Sequence, residues 1–233
     1  MLLLKFLQLI VRRLISPEAQ LLSMEKSTQS VLLYVAPFLF YLFLPALLNL
    51  AFNQYVAYPA RTVLMSILLL FLIPRYKLSL RKVSVWAVPF GVAIIVIWIL
   101  IDPYYPHLGV SEYNPFLTEG LVYLQFLVKF VGLVFVAAFV EELFVRAFLN
   151  RLLVNPFNWE TVPQGKFTTL SFAVTTIFFG FAHYRWLAGL VAGALFNLTY
   201  QKTRSIESCI LAHAIANGIL FVYAVFTNSW ALW

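Results

Sequence analysis

Residues 139–146 read FVEELFVR and place three charged side chains inside an apolar segment, because residues 121–140 are predominantly apolar. Carboxylates at membrane depth cost about 2.5–3.5 kcal/mol each on insertion scales, so each one needs a partner or a function. On a helix Glu142 and Arg146 are four residues apart and share a face, so we predict that they pair. Glu141 lies about 100° around the same helix and has no such partner. We therefore predict that Glu141 is free to act as a general base.

The composition indicates an integral membrane protein. Of the 233 residues 63% are hydrophobic and only 11% are charged, whereas soluble domains carry about 25% charged residues. The net charge of +7 points to membrane topology and anionic lipid as a partner, and not to nucleic acid, because the Lys and Arg runs are short. The single cysteine, Cys209, excludes an intrachain disulfide and a cysteine-based zinc site. We expect it to be a small core residue.

Apolar segments recur at the length that a bilayer requires, which predicts an all-α, polytopic membrane helix bundle of about seven spans. The transmembrane domain is predicted to cover residues 31–233. Residues 1–30 precede it, with an amphipathic surface helix at 1–15 and a polar linker at 16–30. The predicted spans are 31–52, 60–74, 84–101, 121–150, 167–184, 187–201 and 206–226.

The connections carry a strong charge bias. Lys and Arg residues cluster before the first span and between spans two and three, four and five, and six and seven. The connection 102–120 has three acidic residues and no Lys or Arg, and only Arg61 and Arg185 lie in the other connections of that side. By the positive-inside rule the N-terminus is cytoplasmic and the C-terminus external. We predict a bacterial cytoplasmic membrane as the location.

Three further polar positions stand out within the spans. His183 closes the fifth span, four residues after Phe179, and His213 and Asn217 share one face of the seventh. A lone intramembrane His or Asn is usually an interhelical hydrogen bonder. Together with Glu141, however, these residues predict one polar functional site built from three spans.

This set suits hydrolysis of a peptide or amide bond without a covalent intermediate. Glu141 can take a proton from water that His183 orients, and His213 and Asn217 can donate hydrogen bonds to the oxyanion. We therefore predict no cofactor. An alternative stays open, because His183, His213 and Glu141 are also a ligand set for zinc, although the HExxH motif of zinc proteases is absent.

Other polar and small residues predict packing. Gly189 and Gly193 form a GxxxG face for close helix contact, and Asn197 is expected to face a neighbouring helix. Lys129 is expected to reach toward the membrane interface or to pair with Glu119.

The depths of the two histidines conflict with straight spans. At about 1.5 Å per residue, His183 would lie about 25 Å from the cytoplasmic start of its span and His213 about 10 Å from the start of its own. A shared site therefore requires that one of these segments is short, tilted or broken.

EExxxR (141–146), FxxxH (179–183) and HxxxN (213–217), in this order on successive apolar segments, resemble the CPBP intramembrane proteases, also called the Abi or CAAX protease family. Type II CAAX prenyl endopeptidases are its best-known members. The resemblance covers about residues 130–222. It implies that Glu141 and His183 activate water and that His213 and Asn217 form the oxyanion hole. Glu142, Arg146 and Phe179 are implied to support the site.

The sequence departs from the common family pattern at Ala147, where glycine is usual, and at residues 203–207, which read TRSIE. The size and the N-terminal spans also resemble the CAAX protease-related proteins associated with exosortase protein-sorting systems. Two functions remain. The first is an intramembrane endopeptidase acting on a lipid-associated or transmembrane peptide. The alternative is a non-enzymatic membrane scaffold or immunity-type protein that binds a peptide through the same polar cluster.

Overall fold

The computed structural model describes residues 17–109, 113–118 and 120–232, with side chains from residue 28 onward. All regular secondary structure in these ranges is helical, which confirms the predicted all-α class. The surface helix predicted for residues 1–15 lies outside the described residues.

Seven helices form the bundle over the described residues. The first, α1, begins at Pro17, so the polar segment predicted as a linker is largely helical; proline suits the first helical position because its missing N–H needs no partner there. The others follow along the chain. Their bounds are α1 Pro17–Leu48, α2 Gln54–Leu72, α3 Ala87–Ile101, α4 Val122–Val154, α5 Thr169–Phe181, α6 Trp186–Thr203 and α7 Ile206–Thr227. The longest connection, 102–121, lies between α3 and α4.

Five helical segments of the described residues are long and apolar enough to cross a membrane, namely Thr28–Leu48, Gln54–Tyr76, Ala87–Tyr104, Val122–Val154 and Ile206–Thr227. The predicted fifth and sixth spans differ. α5 has 13 residues, or about 20 Å of helix against a hydrocarbon core of about 30 Å. α6 is longer but carries several polar residues near its end. The two form a tightly packed helical hairpin.

The two histidines lie near the same level in the structure, although each was predicted at a different depth. The helix ends at Phe181, so His183 lies in the turn that follows it. The Phe179 ring lies 5.8 Å from the His213 ring, which brings the end of α5 level with the second turn of α7.

The α5–α6 hairpin closes on a face of small residues, as the GxxxG spacing predicted. A Cβ atom on Gly189 would lie 3.0 Å from the Cα atom of Gly180, and one on Gly193 would lie 3.0 Å from the Cβ atom of Phe179. Both distances are shorter than ordinary van der Waals contact. The two helices therefore pack backbone to backbone.

We expect Gly189→Ala to lower stability by about 1–3 kcal/mol, because the added methyl group meets the Gly180 backbone, which cannot yield like a side chain. Gly218→Ala is the matched control, since a Cβ atom there meets only a Val134 methyl group at 4.0 Å. Thermal unfolding in lipid nanodiscs measures both. Equal melting temperatures for the two variants would contradict the close helix contact.

The connections divide between two ends of the bundle. At the hairpin end, which contains the α5–α6 turn 182–185, the segment 102–109 is fixed to that turn. The Leu108 amide donates to the Tyr184 carbonyl at 2.8 Å, and Arg185 pairs with Asp102 at 2.6 Å. His107 in this segment is partly buried and lies 3.3 Å from the Asp102 carboxylate.

The opposite end carries the basic connections, and we call it the basic end. Glu207 at the start of α7 accepts hydrogen bonds from the Ser79 amide at 2.9 Å and from the Ser205 hydroxyl at 3.0 Å. The departure from the family pattern at residues 203–207 thus fixes the connection between α2 and α3 to α7.

The positive-inside rule predicts that the basic end is cytoplasmic. Tyr104 at the hairpin end is 85% exposed and Leu80 at the basic end is 91% exposed, while the native Cys209 is buried. In intact cells we expect a membrane-impermeant maleimide to label Tyr104→Cys and to leave Leu80→Cys unlabelled until the membrane is permeabilised. The reverse pattern would invert the topology.

Candidate active site

The glutamate pair lies near the middle of α4, between two segments of π-helix. These are Val131–Ala137 and Leu143–Leu149, with Ala138–Glu142 as the regular turn between them. The wider π turns are rare and occur frequently at functional sites. They are a local irregularity that apolar periodicity does not reveal.

Arg146 is fully buried and fully engaged. Its guanidinium donates to Glu142 Oε1 at 3.1 Å, to the Gly193 carbonyl at 3.0 Å and to Asn197 Oδ1 at 3.2 Å. It also lies 4.6 Å from the centre of the Phe179 ring. The predicted pairing of Glu142 with Arg146 is present, and it ties α4 to α6.

Asn197 faces the neighbouring helix, as predicted, and supports the arginine as well. Its amide group donates to Thr175 Oγ1 at 2.9 Å and to Thr176 Oγ1 at 3.0 Å, both on α5. Its carbonyl oxygen accepts the bond from Arg146. The side chain therefore joins α4, α5 and α6.

Glu142 has a second partner that the sequence did not indicate. Nδ1 of His213 donates to Glu142 Oε1 at 2.9 Å, and the imidazole stacks 4.6 Å from the Phe196 ring. His213 is only 4% exposed. Because Nδ1–H is used in this bond, Nε2 is the nitrogen left for the cavity, and it carries a proton only when the ring is an imidazolium.

Glu141 faces away from this network, toward His183. Its Oε2 atom lies 3.8 Å from His183 Nε2, and among the described residues it has no hydrogen-bond partner. His183 Nδ1 donates to the Phe179 carbonyl at 2.7 Å, which fixes the ring and leaves Nε2 as an acceptor in the neutral form. The separation of 3.8 Å is too long for a direct hydrogen bond.

Asn217 connects α7 to the first π segment of α4. One of its amide hydrogens is donated to the Leu133 carbonyl at 2.8 Å. The second amide hydrogen remains available. The side chain is therefore oriented by the same helix that carries the glutamates.

All four predicted site residues line one cavity of about 420 Å³, namely Glu141, His183, His213 and Asn217. Glu142 and Arg146 are not among its lining residues. A second space of about 490 Å³, which we call the vestibule, shares part of this lining and reaches the hairpin end at Asn49, Tyr113 and Tyr184. The structure thus brings together the four residues that the sequence grouped.

Two cations in this cavity correct the sequence interpretation. Arg61, expected in an outer connection, lies within α2, and Lys129, expected near the interface, is only 5% exposed and lines the cavity. Both side chains lie against the Tyr58 ring, at 4.6 and 4.5 Å. The sequence did contain an indication of this placement, because both residues lie within apolar segments, where a charged side chain is costly.

The alternative zinc site does not fit the donor arrangement. Over residues 17–109, 113–118 and 120–232, no group of three or more His, Cys, Asp or Glu side chains is placed to hold a metal ion. We therefore derive no step through a metal.

Residues 123–219 match the family described as "Type II CAAX prenyl endopeptidase Rce1-like". No curated protein and no solved structure matches the chain significantly. The matched range contains the EExxxR, FxxxH and HxxxN motifs and nearly coincides with the range 130–222 expected from them. The segment that carries Glu141, His183, His213 and Asn217 is therefore similar to the CPBP, or CAAX protease, family.

Proposed function

We propose that the chain is an intramembrane endopeptidase that hydrolyses a peptide bond of a membrane-associated substrate by direct attack of water. The family match supports a CAAX protease-like enzyme. The observation that carries the mechanism is the convergence of Glu141, His183, His213 and Asn217, from three segments of the chain, on one cavity.

Glu141 and His183 are placed to activate the water. Both Glu141 Oε2 and neutral His183 Nε2 are acceptors, and at 3.8 Å apart they lie within reach of the same molecule. The water donates one hydrogen to each and attacks the substrate carbonyl with its lone pair. Glu141 takes the proton as the C–O bond forms and returns it to the leaving amine.

His213 and Asn217 are placed to stabilise the oxyanion. In this role His213 acts as an imidazolium, because Nδ1–H is held by Glu142 and Nε2–H must then be present to donate. Asn217 contributes the amide hydrogen that Leu133 does not use. Donors fixed before the reaction stabilise the developing charge without reorganisation. Glu142 and Arg146 support this step indirectly, because Glu142 orients the His213 ring and Arg146 holds Glu142.

The vestibule gives the proposed route of entry. It opens at the hairpin end, on the side opposite the basic connections. With the basic end in the cytoplasm, the substrate enters from the non-cytoplasmic side.

A library of peptides, with and without attached lipid, tests the activity on the purified chain in nanodiscs. We expect mass spectrometry to detect a discrete pair of cleavage products. Peptides that bind without being cleaved would contradict the enzyme and support the alternative scaffold or immunity-type protein.

Exhaustive chelation is expected to leave this activity within about twofold of the untreated protein, because neither imidazole needs to bind a metal. Elemental analysis is expected to find no stoichiometric zinc. A catalytic zinc with three protein ligands would be bound tightly. One zinc per chain, with activity lost on its removal and restored on its return, would contradict the water-only mechanism.

A further inference from the structure

His183 differs from the other three site residues in its position on the chain. Glu141, His213 and Asn217 lie inside helices, whereas His183 lies in the turn 182–185 that connects α5 to α6. Side chains on helices are held more precisely than side chains on loops, so a site residue on a turn needs support from outside it. The proposed mechanism depends on that support, because Nε2 of His183 must stay within reach of the water that it shares with Glu141.

The segment 102–109, which follows α3, supports this turn. Hydrogen bonds join the segment to the turn and to the first residues of α6. The Leu108 amide donates to the Tyr184 carbonyl at 2.8 Å, the Trp186 indole to the Pro106 carbonyl at 3.0 Å, and the Ala188 amide to the Tyr105 hydroxyl at 3.3 Å. The backbone that follows His183 is therefore fixed by a distant part of the chain.

An ion pair lies within the same contact. Arg185 is the last residue of the turn, and its Nε atom lies 2.6 Å from Oδ1 of Asp102. Arg185 is only 6% exposed, so solvent screens this pair less than it screens a surface pair. Removal of one partner leaves the other charge partly buried without compensation, which is costly. His107 also lies 3.3 Å from Asp102, so a substitution of Arg185 leaves Asp102 with this second neighbour.

The ring of His183 is held by groups on the other side of the turn. Nδ1 donates to the Phe179 carbonyl at 2.7 Å. The Phe179 ring lies 4.7 Å and the Trp98 ring 5.6 Å from the imidazole, and the Trp98 ring is nearly perpendicular to it at 80°. These contacts depend on the backbone of the turn staying in place. A misplacement of about 1 Å can lower a rate by about 10²-fold, so the position of the turn matters for catalysis.

The support comes partly from outside the segment that matches the family. His183 and Arg185 lie within residues 123–219, whereas Asp102 does not. We propose that Asp102 and Arg185 are positioning residues, whose ion pair fixes the turn and so keeps Nε2 of His183 in reach of the water shared with Glu141. This proposal rests on the proposed function, in which that water is the nucleophile.

Arg185→Gln and Asp102→Asn are each expected to lower kcat by about 10- to 100-fold, as for a small misplacement of a group at the reacting atoms. The double variant should lose no more than either single variant, because both substitutions remove the same pair. Arg185→Lys keeps the charge and should retain more activity than Arg185→Gln. Arg75→Gln is the control, since it makes the same chemical change at an exposed arginine that lines neither the cavity nor the vestibule. It should keep wild-type rates.

Nitrogen NMR of isotope-labelled histidine in lipid bilayers distinguishes a displacement of His183 from a general loss of structure. The Nδ1–H groups of His183 and His213 each donate a hydrogen bond, and we expect each to give a separate, protected signal. The signals are assigned by replacing each of the three histidines in turn. In Arg185→Gln and Asp102→Asn we expect the His183 signal to shift or to be lost through exchange, while the His213 signal stays unchanged.

An unchanged His183 signal in both single variants, or wild-type kcat in both, would overturn the positioning role. A higher KM with unchanged kcat would instead assign Arg185 to substrate binding in the vestibule. Loss of the His183 and His213 signals together would indicate a general structural role and would also contradict the proposal. If the wild type cleaves no peptide, the proposed function fails and the role in catalysis with it, whereas the NMR signals still decide whether the ion pair fixes His183.

Discussion

Glu141→Gln is expected to lower kcat by about 10²- to 10⁴-fold, the contribution of a general base in a positioned proton transfer. The amide keeps the size of the carboxylate but cannot accept the proton of water. Glu141 Oε2 has no hydrogen-bond partner among the described residues, so the substitution breaks no bond at that atom and the fold should persist. Initial rates on a cleaved peptide and a melting curve in nanodiscs measure the two effects.

Glu160→Gln is the matched control for this variant, because it makes the same chemical change at an exposed glutamate near the basic end. It should retain wild-type rates. A Glu141→Gln protein that keeps most of its turnover would show that another group removes the proton.

Arg146→Ala is expected to destabilise the protein by about 3–5 kcal/mol, because it leaves Glu142 as a buried carboxylate without its guanidinium partner. Both side chains are completely buried. The variant also removes the donors to Gly193 and Asn197 that tie α4 to α6. A large fall in melting temperature, or a loss of folded protein in detergent, should result.

A double-mutant cycle isolates the pair from these other losses. Removing both partners with Glu142→Gln and Arg146→Ala should cost less than the sum of the two single variants, because no uncompensated charge remains. In the single Glu142→Gln variant and in the double variant alike, His213 donates to an amide and no longer to a carboxylate. This effect on His213 therefore cancels in the cycle. Strictly additive losses would refute the pairing of Glu142 with Arg146.

The local part of the site could be predicted because helical spacing determines it. Glu142 and Arg146 are four residues apart, and their distance of 3.1 Å follows from the pitch of one helix even though a π segment begins between them. The same spacing placed Phe179 beside His183 and His213 on the face of Asn217. Three motifs of this kind also sufficed to predict the family.

The contacts between distant segments could not be predicted in this way. Glu142 and His213 are separated by 71 positions, and no pattern in either helix states that their side chains meet. Lys129 was expected at the interface because a lysine stem can reach it. Its burial depends on tyrosine rings from α2 and from residue 113, which hold the cation inside.

The length of α5 is another feature that the sequence did not predict. Apolar sequence continues to residue 182, so hydropathy predicted a span over 167–184. The helix ends at Phe181, and the backbone then turns within reach of the segment 102–109. Composition does not indicate this end, and His183 lies just beyond it, 3.8 Å from Glu141.

Substrate trapping tests most directly the claim that Glu141 drives hydrolysis in this cavity. Wild type and Glu141→Gln would be incubated in nanodiscs with the same peptide library, reisolated, and their bound peptides identified by mass spectrometry. We predict that the variant retains intact peptides whose cleavage products appear only with the wild type. Identical intact peptides on both proteins, with no products from either, would contradict the account.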